Sequence, residues 1–271
     1  MNRRQFSRTL VGTLGSVALF PESLHSTLVA GWCRAPTQPL IDGPRLHRWI
    51  RELSRFGARS DGGVDRVAFS DADLEGRSYV RTLMEESGLE VRMDAVGNLL
   101  GRLQGTEPDL APLMVGSHLD SVPAGGNYDG PLGTLGALEG IRTLREAEVE
   151  LRHPVEVVVF VNEEGGKTGS RVMSGEFSSG ELDLVTSSGY TIREGILRLG
   201  GDPEALEEAR MKPGEVAGFL ELHIEQGAAL EARGVRIGVV EGIVGIRRWN
   251  VAIEGTANHA GTTPMAQRRD A

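Results

Sequence analysis

Cysteine is almost absent: Cys33 stands alone in 271 residues. A single thiol excludes an internal disulfide and a thiolate-rich zinc site, so any metal centre has to be built from His, Asp and Glu. Clusters of Lys and Arg are missing beyond the N-terminus, and the net charge is -9. That balance argues against nucleic acid as a partner, because phosphate binding wants clustered cations. No apolar run is long and uninterrupted enough for a stable membrane span. There is no internal repeat and no low-complexity tract. What is present, 39% hydrophobic and 25% charged residues, suffices for a folded core in one or two domains.

The N-terminus places Arg3-Arg4 before Phe6 and then a weakly apolar stretch, Thr9 to Phe20. This resembles a twin-arginine export signal and implies an exported, periplasmic protein. Residues 1–38 are therefore set apart from the fold as a signal segment.

Periodicity organises the rest. Leu46 to Phe56 reads as a helix. A second helix follows the capping residue Ser70 and stops at Gly88. Glu90–Asp94 and Asn98–Leu103 read as strands about a Gly97 turn, and Leu113–Ser117 as a short buried strand. Thr134–Arg145 is helical, Val155–Asn162 is the most apolar strand, Asp202-Pro203-Glu204 opens a further helix, and Phe219–Leu222 is a strand ending at His223. Strands alternate with helices, so the predicted fold is α/β with a mostly parallel central sheet flanked by helices. At Arg247 the pattern changes: Trp249, Val251 and Ile253 alternate with polar residues, as in a half-exposed antiparallel strand. The expected organisation is a signal segment 1–38, a catalytic domain 39–246 and the start of an α+β lid or dimerisation domain 247–271.

The chemistry concentrates where predicted strands end. Glu163 and Glu164 close the most apolar one, and two adjacent carboxylates there raise each other's pKa unless a cation offsets them. His118 and His223 each follow an apolar stretch of their own. The Gly125-Gly126-Asn127-Tyr128-Asp129-Gly130 loop has the glycines needed to fold Asp129 back toward His118. In open α/β sheets ligands gather beyond the C-terminal strand ends. A metal site accounts for this set, with one glutamate as ligand and its neighbour as general base. Asp120, two residues past His118, is placed to orient that imidazole. Taken singly, each piece also reads as a structural histidine, a solvated acidic face or a plain turn; it is the joint occurrence that points to a centre.

The ordered series Gly116-Ser117-His118-Leu119-Asp120-Ser121-Val122, Asn127-Tyr128-Asp129-Gly130, Asn162-Glu163-Glu164-Gly165, His223-Ile224-Glu225-Gln226-Gly227 and Asn258-His259-Ala260-Gly261-Thr262-Thr263-Pro264-Met265 resembles the hydantoinase/carbamoylase amidases of the M20 metallopeptidase superfamily. That group includes N-carbamoyl-L-amino-acid hydrolases, allantoate amidohydrolases and β-ureidopropionases. The resemblance implies two divalent metal ions, Zn2+ or Mn2+, Co2+ or Ni2+. His118 and His223 would hold one, Asp129 would bridge to the second, and Glu164 would hold that second ion. Glu163 would be the general base, Asp120 would buttress His118, Gln226 would contact the substrate, and His259 would polarise the scissile carbonyl. It also implies a homodimer and a small ureido or carbamoyl acid as substrate.

Two departures from the family pattern stand out. Gly165-Gly166-Lys167-Thr168-Gly169-Ser170-Arg171 replaces the usual continuation after the glutamate pair. The expectation is also of a C-terminally truncated copy, with the second metal site lacking its C-terminal His ligand. The competing readings are another M20 hydrolase, a peptidase or N-acyl-amino-acid deacylase, and a catalytically dead remnant.

Overall fold

The computed structural model describes residues 39–245, 247 and 249–271; the segment 1–38, expected to be an export signal, and Cys33 within it lie outside the described residues. The chain divides into two compact units, one ending at Ile224 and one running Glu225–Ala271, where the sequence placed the boundary at 246/247.

The first unit is built on five strands, β1 (Glu90–Met93), β2 (Leu99–Leu103), β3 (Leu113–His118), β4 (Val155–Phe160) and β5 (Gly218–Leu220). They lie in the order β1-β2-β4-β3-β5. β3 pairs parallel with both β4 and β5, while β2 pairs antiparallel with β1 and β4. β2 alone therefore runs against the common direction, and the expected α/β class with a predominantly co-directional sheet is observed. β4 sits between two partners with Val155, Val157, Val158 and Val159 all buried. A run this rich in β-branched residues, interrupted only by Glu156 in its ion pair with Arg92, suits a strand covered on both faces.

Helices cover the sheet for identifiable local reasons. α1 (Gly43–Leu53) starts earlier than the periodicity suggested, because the Asp42 side chain accepts from Arg45 N and Pro44 fits the first turn. α2 (Asp71–Glu86) is capped by Ser70, with Asp71 and Asp73 in its first turn. α3 (Pro131–Glu146) begins two residues after Asp129, with Gly130 as its N-cap. Trp49, Leu53, Val80, Leu83, Leu135 and Leu138 from these helices pack with Val157 and Val159 in the main core. On the opposite face Leu100, Met114 and Val158 meet Met173, which belongs to α4 (Thr168–Ser174).

Two expected elements differ. Asp202-Pro203-Glu204 does not open an α-helix. The Asp202 carboxylate accepts from Glu204 N and the chain turns, leaving only a four-residue 3-10 segment, Leu206–Ala209. A few residues ahead of Pro213 cannot repay helix nucleation. Instead the helix of this region is α5 (Ile192–Leu199), announced by a capping box in which Thr191 and Glu194 bond reciprocally. In the second unit Trp249–Ile253 forms no strand. Its regular structure among the described residues is one helical turn, α6 (Ala229–Ala232), and the 3-10 turn Met265–Gln267. Among the described residues no helix is long and apolar enough to cross a membrane.

Candidate metal centre

The three co-directional neighbours β4, β3 and β5 end at the same rim of the sheet, and each hands over a functional side chain there. His118 is the last residue of β3 and pairs in register with Phe160, the last of β4. Two residues on, Asn162 takes a left-handed backbone (φ 50°), and this bend turns the chain into Glu163-Glu164. β5 ends at Leu220, so His223 lies beyond the ladder.

The ligand-type atoms meet. His223 Nε2 lies 3.1 Å from Asp129 Oδ1, and His118 Nε2 lies 4.0 Å from the same oxygen. His118 Nε2 is also 3.9 Å from Glu163 Oε2. Two groups result, His118–Asp129–His223 and His118–Glu163–Glu164, each with one ligand atom per residue and all atoms within 4.8 Å of one another. Both rings present the correct nitrogen. His118 Nδ1 lies 2.9 Å from Asp120 O, and His223 Nδ1 lies 2.9 Å from Ile224 O. A proton on Nδ1 that donates to the carbonyl leaves the Nε2 lone pair free for a cation.

Two glycines make the convergence possible. A Cβ on Gly130 (φ 81°) would sit 2.6 Å from the His118 ring, so any side chain there would push Asp129 away from the imidazole. A Cβ on Gly133 would meet Leu222 O at 2.3 Å, blocking the segment that delivers His223 beside α3. Ser117 Oγ donates to Glu221 Oε1 at 2.5 Å and ties the same segment to the end of β3.

Asp120 acts twice. Its carbonyl orients His118, as above, while its carboxylate lies 3.8 Å from that ring nitrogen. The carboxylate accepts from Glu163 N at 3.2 Å and from Glu164 N at 3.1 Å. Burial pushes its pKa up to about 6, against the pull of His118 and the two peptide N–H groups. Glu164 is also raised, first by burial and then by Asp129, Glu163 and Asp120. Carboxylates crowded this way around two imidazoles call for a cation to offset them. The nitrogen-and-carboxylate donor set, on a polar rim graded from buried His118 to half-exposed His223, fits a divalent transition metal.

Sequence reasoning missed Arg66. It is fully buried, and its Nε donates to Leu119 O at 2.8 Å, supporting the His118–Asp120 turn from below. Its only signal was an arginine inside the apolar stretch Val64–Phe69. Lys167 was likewise not assigned: it follows the glutamate pair and places Nζ 3.9 Å from Glu163 Oε1. Gln226 and His259 lie in the second unit, where His259 Nδ1 accepts from Gly261 N at 3.1 Å.

Residues 114–270, spanning His118, Asp120, Asp129, Glu163, Glu164 and His223, match peptidase family M20/M25/M40. The chain belongs to that family. It is 44% identical over 236 residues to an N-carbamoyl-L-amino acid amidohydrolase of Geobacillus stearothermophilus, covering 85% of this chain and 58% of that protein. It is 40% identical over 225 residues to an allantoate amidohydrolase of Escherichia coli, covering 80% and 54%. Among solved structures it resembles a hydantoinase/carbamoylase family amidase from Burkholderia ambifaria, with TM-score 0.69 and 37% identity over 86% of this chain and 57% of that one. The M20 chain thus spans little more than half the length of the relatives it matches.

Proposed function

We propose that this M20 protein is a metal-dependent amidohydrolase cleaving the linear carbamoyl or ureido C–N bond of an N-carbamoyl-L-amino acid or related ureido acid. The observation that carries the proposal is the meeting of His118, Asp129, His223, Glu163 and Glu164 at one sheet rim. The names of the amidohydrolase relatives supply the bond type. His118, Asp129 and His223 would hold one divalent cation, and Glu164 would serve a second. A cation held there supplies Lewis acidity, acidifying water and drawing charge from the carbonyl.

The chain's own residues do the rest. Glu163 is half-exposed, with one oxygen turned toward His118 Nε2 and the other toward Lys167. It accepts a proton from the attacking water and returns it to the departing nitrogen as the C–N bond breaks. Asp120 fixes the peptide groups of that base, so the carboxylate does not wander between the two steps. The roles assigned to Gln226, as a substrate contact, and to His259, in polarising the carbonyl, belong to this proposal, as do a homodimer and export by the twin-arginine-like segment.

The test is hydrolysis of a panel of N-carbamoyl-L-amino acids, allantoate and the matching N-acetyl amino acids by the protein before and after chelation. Turnover of the carbamoyl or ureido acids that chelation abolishes and a divalent metal restores is the expected result. Turnover of acetyl compounds alone would make the protein an N-acyl hydrolase, and turnover that survives exhaustive chelation would remove the metal from the mechanism.

A further inference from the structure

Lys167 stands at the rim of the metal centre with no part in the proton transfer proposed above. It belongs to the Gly165–Arg171 run that departs from the family pattern. Its backbone is left-handed (φ 58°), a region that glycine enters freely and a lysine does not. The turn sets the residue back over the base. Lys167 N donates to Glu163 O at 2.9 Å, and Lys167 O accepts from Arg171 N at 2.9 Å as the N-cap of α4. Nζ then lies 3.9 Å from Glu163 Oε1. The side chain is 61% exposed, so packing does not account for it. An exposed Glu–Lys pair contributes little stability by itself. A disfavoured backbone that delivers an ammonium to the side of a general base points to a role in binding.

The two Glu163 oxygens divide the site. Oε2 faces His118 and the metal-type ligands, where the water and the carbonyl belong, while Oε1 faces Lys167. The base returns its proton to the departing nitrogen, so that nitrogen comes within hydrogen-bond reach of Glu163. In an N-carbamoyl amino acid the same nitrogen is bonded to the carbon that bears the carboxylate, and the carboxylate carbon lies roughly 2.5 Å from it. Catalysis therefore brings the substrate's negative charge close to the base, where two like charges repel unless a cation offsets them. Resting on the hydrolase reading above, we infer that Lys167 Nζ binds the α-carboxylate of the substrate and so selects an acid over its neutral amide. An ammonium with three donors on a flexible stem reaches a carboxylate oxygen while remaining beside Glu163. Metal ions held on the Oε2 side are left for the water and the carbonyl.

The readout is the ratio of kcat/KM for an N-carbamoyl-L-amino acid to that for its α-carboxamide, measured on the whole chain, which cancels differences in metal loading and active fraction. Lys167→Met removes the charge and keeps the reach; the ratio is expected to fall by about 10-fold, carried by a raised KM for the acid. Lys167→Arg keeps the charge and should hold most of the ratio. If Lys167→Met does not fold, Lys167→Gly suits the left-handed backbone and reads the same quantity. A fall in kcat shared equally by acid and amide would make Lys167 a tether for Glu163 and overturn the inference. An unchanged ratio in Lys167→Met, an equal fall in Lys167→Arg, or a wild-type protein that takes acid and amide alike would also overturn it, each leaving the hydrolase standing. Absence of turnover on both compounds would overturn the hydrolase reading and this inference together.

Discussion

The two units of the chain both carry strand-like apolar patterns and reach different ends. In the first, Val155–Val159 lies between two hydrogen-bonding neighbours and is buried. In the second, Val251 and Ile253 belong to an alternating pattern that also reads as a strand, yet they are 79% and 71% exposed and form no strand. Periodicity states which face of a strand would be apolar. The strand itself forms only when a partner takes its N–H and C=O groups and a core takes that face.

The sharpest way to probe the first unit leaves its packing alone. Glu163→Gln keeps the size of the side chain and removes the basic oxygen; we expect kcat to drop by about a hundred- to ten-thousand-fold with the unfolding midpoint little changed. A variant retaining near wild-type turnover would remove Glu163 from the proton transfer. Next comes the core itself. Leu138, fully buried in α3, should cost about 2–5 kcal/mol when changed to Ala, whereas Val244→Ala in the second unit, 83% exposed, should stay within about 0.5 kcal/mol. Urea unfolding of both variants checks the contrast, and equal losses would mean that the second unit carries a core of its own. An effect toward the lower end of that core loss concerns the proposed metal ligands. A divalent cation at about 100 times its Kd should stabilise the first unit by about 2.7 kcal/mol, seen as a raised melting midpoint, and His223→Ala should remove most of that rise. A full metal-induced shift in the variant would place the cation elsewhere.

Much of the architecture was legible because it rests on local signals. Ser70 and the Leu135, Leu138, Ile141 spacing mark helices, and the β4 valines mark a central strand. The end of β3 at His118 was legible for the same reason, whereas the strands expected to run up to Glu163 and His223 stop earlier, at Phe160 and Leu220. Hidden were the features that depend on distant partners. The bond that Val161 N donates to Asn98 Oδ1 at 3.0 Å, which takes over where the β2–β4 ladder stops and shortens the expected strand, has no sequence spacing to announce it. Nor has the Arg66 guanidinium under Leu119, held in spite of a burial penalty that lowers its pKa to about 10. The expected helix at Asp202 failed on length, and the helix at Ile192 was readable in Thr191 and Glu194 but went unread.

One small arrangement reaches further than its size. Because a single aspartate steadies an imidazole with its carbonyl and grips two consecutive peptide groups with its carboxylate, the tips of β3 and β4 cannot drift independently. A disturbance that tilts the histidine is passed to the glutamate pair in the same stroke, and tolerance to change at 118, 120, 163 and 164 should be collective, with damage at any one of the four reported by all.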